Sequence, residues 1–291
     1  MDDPLILGIH GFARKPDPRR LLLGWRRAVE EGLRRNCGLG KKDGPARPRF
    51  ELDLAYWADR VHEPLEEDPE PYHPAPGNGP LPHYDDNWVD ELVADVIDLG
   101  ESLVDLAMLS RSLHQKTGWL LERFSRDCER YNGDPELQAA IRGQLATKLV
   151  DGVEKGRKIL LIGHSMGSVI AYEVLRELEG RFREPVVEHL ISIGSPLGFS
   201  FLTRDLELRH GPNRVPNTVR RWSNLTDRRD WAAIDAHLGD DYKPSSRGVR
   251  VEDDLVVNTY LCPLKRPNTH KAYGYLRAPE VSERIRDFLL P

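Results

Sequence analysis

Leu160-Leu161-Ile162-Gly163-His164-Ser165-Met166-Gly167-Ser168 decides how this chain is read. The continuous apolar run Ile159–Ile162 enters it and predicts a buried strand. Val169, Ile170, Tyr172, Val174 and Leu175 leave it at helical spacing and predict a helix over Val169–Leu178. Between strand and helix lies G-x-S-x-G, the pattern of a sharp turn that lifts a serine hydroxyl above a sheet edge. Side chains two residues before and after the serine would collide in so tight a bend, so glycine is needed at Gly163 and Gly167. The partial positive charge of the helix start, with its free N–H groups, favours negative charge developing near Ser165. The motif alone arises by chance in roughly one chain of this length in ten, glycine being about 7% of residues. The flanking strand and helix are what give it weight.

Upstream, Leu5–Ile9 is a short apolar run that ends in His10-Gly11-Phe12, and it predicts another buried strand. Leu21–Arg35 has the apolar spacing of an amphipathic helix, and Phe50–Tyr56 reads as a second strand. Seven prolines between Pro64 and Pro82 exclude helix and central strand and leave a long irregular segment. Helical spacing returns over Asn87–Leu109 and Trp119–Tyr131, the former with an acidic face from Asp90 to Asp105. A further helix runs to about Glu154, with Asp134 as its N-cap and Pro135 at its first position. Downstream of the motif, strands are expected at Val186–Ile193, Thr218–Trp222 and Leu255–Leu261, and a closing helix at Val281–Leu289. Strands alternating with helices imply parallel crossovers. The expected architecture is a three-layer α/β/α sandwich with a mostly parallel sheet. Residues 1–60 and 136–291 form its core, and residues 61–135 form a Pro-rich and helical insertion that would cap it.

The chain has 291 residues, enough for one large domain with a substantial core. Its formal net charge is −5, with acids and bases interspersed, which argues against a general electrostatic grip on nucleic acid or an anionic membrane. Three widely spaced cysteines, Cys37, Cys128 and Cys262, suggest neither a disulfide framework nor a zinc site and point to a reducing compartment. No run approaches the roughly 20 apolar residues of a membrane span, and the N-terminus lacks the pattern of a signal peptide. A cytoplasmic location is expected.

Ile9-His10-Gly11-Phe12, Gly163–Gly167 and Gly194-Ser195-Pro196 together resemble the lipase and esterase side of the α/β-hydrolase superfamily. The resemblance covers residues 4–60 and about 136–291. It implies a Ser-His-Asp triad with Ser165 as nucleophile, and an oxyanion hole made by the backbone N–H groups of Met166 and Phe12. His10 precedes the nucleophile and reads as a residue that shapes the loop.

In this fold the acid and then the histidine follow the serine along the chain. His189 falls on an expected strand, His210 in a polar loop and His237 after an acidic segment. His270 follows the last expected strand and precedes the final helix, where the superfamily places its catalytic histidine. For the acid, Asp230 with Trp231-Ala232-Ala233 resembles the superfamily's pattern better than Asp227, which stays open as the alternative; Asp235 ranks third. Leu197, Phe199 and Phe201 either line an acyl pocket or belong to the core. The resemblance implies cleavage of a small-molecule carboxylic ester through an acyl-enzyme, with no metal and no cofactor. Acyl transfer on the same triad, or an inactive scaffold used for binding, are the alternatives.

Overall fold

The computed structural model describes residues 3–41, 44–85, 128–233, 235–263 and 265–290. Six strands form one parallel sheet: β1 (Leu5–Ile9), β2 (Glu51–Ala55), β3 (Ile159–His164), β4 (His189–Ile193), β5 (Trp222–Thr226) and β6 (Val251–Leu255). Their order across the sheet is β2-β1-β3-β4-β5-β6. Helix α1 (Pro18–Asn36) joins β1 to β2, and α2 (Pro135–Glu154) leads into β3. Then come α3 (Met166–Leu178), α4 (Ser200–His210), the single turn α5 (Leu238–Asp241), α6 (Ala272–Leu276) and α7 (Pro279–Leu289).

The alternation of side chains along a strand explains the two helical layers. Leu5, Leu7, Ile9, Ile159 and Leu161 project into one core with α2, α3 and α4. Ile6, Leu160, Ile162, Ile191 and Ile193 project into a second core with α1, α6 and α7. Central strands covered on both faces must be apolar on both, which is why β1 and β3 read as unbroken apolar runs. The strand order reverses direction between β1 and β3, the point of an open parallel sheet at which loops leaving the carboxyl ends diverge.

Local signals set the helix starts. Asp17 accepts hydrogen bonds from the N–H groups of Arg19 and Arg20, and Pro18 opens α1. The helix therefore begins three residues before the apolar periodicity at Leu21. Asp134 accepts from the Leu137 N–H, at 3.0 Å, and Pro135 opens α2, as the sequence predicts.

Two strands sit four to six residues from their expected places. The strand expected at Thr218–Trp222 is β5 at Trp222–Thr226, and the one expected at Leu255–Leu261 is β6 at Val251–Leu255. β5 is wholly buried, yet Ser223, Asn224 and Thr226 are polar. Partners along the sheet make this tolerable. Trp222 Nε1 donates to Ser192 Oγ (3.0 Å), Ser192 Oγ to Asn224 Oδ1 (3.0 Å), and Asn224 Nδ2 to Asp253 Oδ1 (3.0 Å). β6 lies at the sheet edge and carries Glu252, Asp253 and Asp254, as edge strands commonly do. The apolar residues after it, Val256, Val257 and Tyr260, are buried in a loop.

The Pro-rich segment is tied down by a chain of contacts across the α1–α7 face. The buried Arg35 donates to the carbonyls of Ala75, Pro76 and Gly79, and Arg277 to that of His73. Glu31, buried between Arg35 and Arg277, accepts the Ala75 N–H at 2.9 Å. The helices expected over Asn87–Leu109 and, but for its last residues, Trp119–Tyr131 lie outside the described residues. Among the described residues no helix is long and apolar enough to cross a membrane.

Candidate active site

Ser165 stands between β3 and α3 with φ 54° and ψ −133°, a backbone conformation that few non-glycine residues adopt. Its N–H donates to the Ile193 carbonyl at the end of β4, and its carbonyl accepts from the Ser168 N–H and hydroxyl. These bonds hold the strained residue in place. A side chain at Gly163 would come within 2.7 Å of the Ser168 Cα, and one at Gly167 would strike the backbone of Ile9 and His10. The loop after β1 presses on the serine from the other side. A Cβ at Gly11 would lie 2.5 Å from the Ser165 Cβ, so only glycine lets that backbone pass.

His270 closes on Ser165 from the loop before α6. Its Nε2 lies 3.0 Å from Ser165 Oγ. Its Nδ1 lies 2.8 and 2.9 Å from the two carboxylate oxygens of Asp230. A carboxylate only accepts, so Nδ1 carries a proton and Nε2 is the nitrogen that faces the hydroxyl. Asp230 is fully buried and also accepts from the Ala232 N–H (3.0 Å) and the Tyr275 hydroxyl (2.7 Å). Burial, followed by the Asp230 charge, holds the Tyr275 phenol well above the usual tyrosine range, so it stays a donor.

Asp227 takes another place. Its carboxylate accepts from the N–H and guanidinium of Arg229 and from the Asn258 N–H, which fixes the loop after β5. Asp235 accepts the His237 N–H at 2.8 Å. His189 is buried against Ser223, and His210 lies beside Glu173 on α3. His237 precedes α5. Leu197 is wholly buried in the core, Phe199 is nearly so, and Phe201 is exposed and stacked on Phe199.

His10 is buried and stacks on Trp57, with ring centroids 5.1 Å apart. Its Nε2 accepts the Trp57 N–H and its Nδ1 donates to the Gly11 carbonyl. Burial, with Lys15 adding to it, lowers its pKa to about 3, so the ring is neutral and braces the loop bearing Phe12. Phe12 packs edge-on against the same indole, and Ala13 turns the chain with φ 74°. Met166 opens α3, where its N–H has no carbonyl partner one turn back.

Sequence reasoning missed three residues around His270. His164 Nε2 donates to the His270 carbonyl at 2.8 Å; burial first, and then His270, hold its ring neutral. Asn258 Nδ2 donates to the carbonyls of Thr269 and Lys271 on either side of His270. Tyr275 joins the Asp227 N–H to the Asp230 carboxylate. Only His164 carried a sequence signal, its place beside Ser165. Among the described residues no cluster of three or more His, Cys, Asp or Glu side chains is arranged to hold a metal.

A six-stranded parallel sheet with helices on both faces, and a serine on a strained strand-to-helix turn, define the α/β-hydrolase fold. The family model described as the PGAP1-like alpha/beta domain matches residues 136–257, which run from α2 to just beyond β6. The match covers less than half of the chain and includes the serine turn and Asp230 but not His270. No curated protein matches the chain.

Proposed function

We propose that this protein is a serine hydrolase that cleaves a small-molecule carboxylic ester through an acyl-enzyme, with Ser165, His270 and Asp230 as its triad. The observation that carries this reading is the unbroken run of hydrogen bonds from Ser165 Oγ through the His270 ring to Asp230. The likeness to the PGAP1-like alpha/beta domain supports it.

The chemistry follows from the proton positions. His270 Nε2 accepts the Ser165 hydroxyl proton as Oγ attacks the acyl carbonyl. Asp230 keeps the proton on Nδ1 and stabilises the imidazolium that forms. The N–H groups of Met166 and Phe12 stabilise the tetrahedral oxyanion, each by roughly 3 kcal/mol. His270 then returns the proton to the departing alkoxide, which leaves as the alcohol. Water repeats the sequence on the acyl-enzyme and releases the carboxylic acid. A reducing, cytoplasmic location belongs to the same reading, on the sequence ground that three widely spaced cysteines make no paired pattern.

Hydrolysis of short p-nitrophenyl esters tests the reading. Wild-type protein turns them over, and Ser165→Ala and His270→Ala lose that turnover while keeping the wild-type circular dichroism spectrum. Turnover that survives Ser165→Ala would refute the proposal.

A further inference from the structure

We propose that Glu70, from the Pro-rich segment, is a positioning residue for His270 and acts through Asn268; the inference rests on the hydrolase reading above. The Asn268 amide bridges the two. Its Nδ2 donates to Glu70, at 3.1 Å from Oε1 and 2.9 Å from Oε2. Its Oδ1 accepts the His270 backbone N–H at 3.2 Å.

The geometry matters because an amide has two unlike ends. A carboxylate can only accept, so Glu70 requires the NH₂ end of Asn268. That choice leaves the oxygen end facing the His270 N–H. Without Glu70 the amide is free to turn over, and its NH₂ group would then face the His270 N–H donor to donor. His270 reaches Ser165 and Asp230 from a loop, so a small rotation of its backbone moves both ring nitrogens.

Glu70 is held where it can do this. It accepts from Lys271 Nζ at 3.5 Å, and Lys271 lies over the rings of Tyr260 and Tyr273. Next to it, the Pro71 carbonyl accepts the Tyr260 hydroxyl at 2.8 Å. The Asn268 N–H donates to the Tyr260 carbonyl, so segment and loop share one anchor. A misplacement of reacting groups by about 1 Å costs roughly a hundredfold in rate, so even a partial shift is measurable.

Two readouts separate the bridge from the hydrolase reading. The first is ester turnover, with Ser165→Ala as baseline. The second is the low-field proton resonance of His270 Nδ1–H, assigned by its loss in His270→Ala. That resonance reports the bond to Asp230 whether or not ester is cleaved. Glu70→Ala is expected to lower kcat by about tenfold to a hundredfold, to leave KM and the melting temperature near wild type, and to broaden the resonance. E70Q, which keeps an acceptor for Asn268, recovers most of that loss. Asn268→Asp sets two carboxylates against each other and falls with Glu70→Ala. The double variant E70Q/N268D exchanges donor for acceptor across the contact and regains activity. Glu66→Ala, an exposed position on the same segment, controls for trimming an acid there.

Wild-type kcat and an unchanged resonance in Glu70→Ala would overturn the proposal, as would a double variant no better than N268D. Wild-type protein that shows the resonance, and its broadening in Glu70→Ala, but no Ser165-dependent turnover would sink the hydrolase reading and leave the bridge standing.

Discussion

Asp227 and Asp230 stand three residues apart in one loop, and their neighbours give them different work. The Asp230 oxygens face His270 Nδ1, the Tyr275 hydroxyl and the Ala232 N–H. Those of Asp227 are taken by Arg229 and the Asn258 N–H. Asp230→Asn therefore presents an amide to Nδ1, favours the wrong tautomer and is expected to lower kcat by roughly 10⁴-fold. Asp227→Asn disturbs only the loop and is expected to retain kcat within about tenfold of wild type, on the scale of a lost hydrogen bond. Steady-state kinetics of the pair decide; equal losses would show that the acid is wrongly assigned. Gly11→Ala tests contact at the serine itself, because its methyl would meet the Ser165 side chain. It is expected to depress kcat more than tenfold, on the scale of a misplaced reacting group, and to lower stability by about 1–3 kcal/mol, because the buried serine turn or the loop after β1 must shift to admit the methyl.

The elements differ in how openly the sequence announces them. β1 and β3 are apolar on both faces, so hydropathy found them, and the Asp134-Pro135 pair marked the start of α2 to the residue. The serine turn was legible because its glycines and flanking pattern are local. β5 was not, since its stability comes from hydrogen bonds to β4 and β6 that only the assembled sheet supplies. β6 escaped for the opposite reason: as an edge strand it is acidic, while the buried loop beyond it reads as apolar. Of the residues around His270, Tyr275, Asn258 and Glu70 act across long stretches of chain, and no local pattern encodes that. One consequence is measurable in β5. Asn224→Leu fits the apolar expectation for a buried strand, yet strips partners from Ser192 and Asp253. It is expected to destabilise the fold by about 1–3 kcal/mol in urea unfolding, and an unchanged midpoint would contradict this account of the strand.

At the scale of the molecule, burying neutral histidines makes stability depend on pH. His10 and His189 each have a pKa lowered to about 3, in both cases chiefly by burial. The unfolded chain protonates these rings near pH 6.5, the folded chain only near 3, so the unfolded state binds more protons in between. Stability is thus full above about pH 6.5 and falls as the pH drops toward 3, by up to about 1.4 kcal/mol per unit per ring. Urea titrations at pH 7 and pH 4.5 should show this loss, smaller in His189→Gln; a flat profile would mean that these rings are not buried neutral. The proposed chemistry rests on one activated hydroxyl, that of Ser165. Mass spectrometry after treatment with a fluorophosphonate tests it most directly. One adduct per chain, on the peptide carrying Ser165 and lost in both Ser165→Ala and His270→Ala, is the expected result. Wild-type protein left unmodified under conditions that label a known serine hydrolase, or modified at another residue instead, would contradict the account.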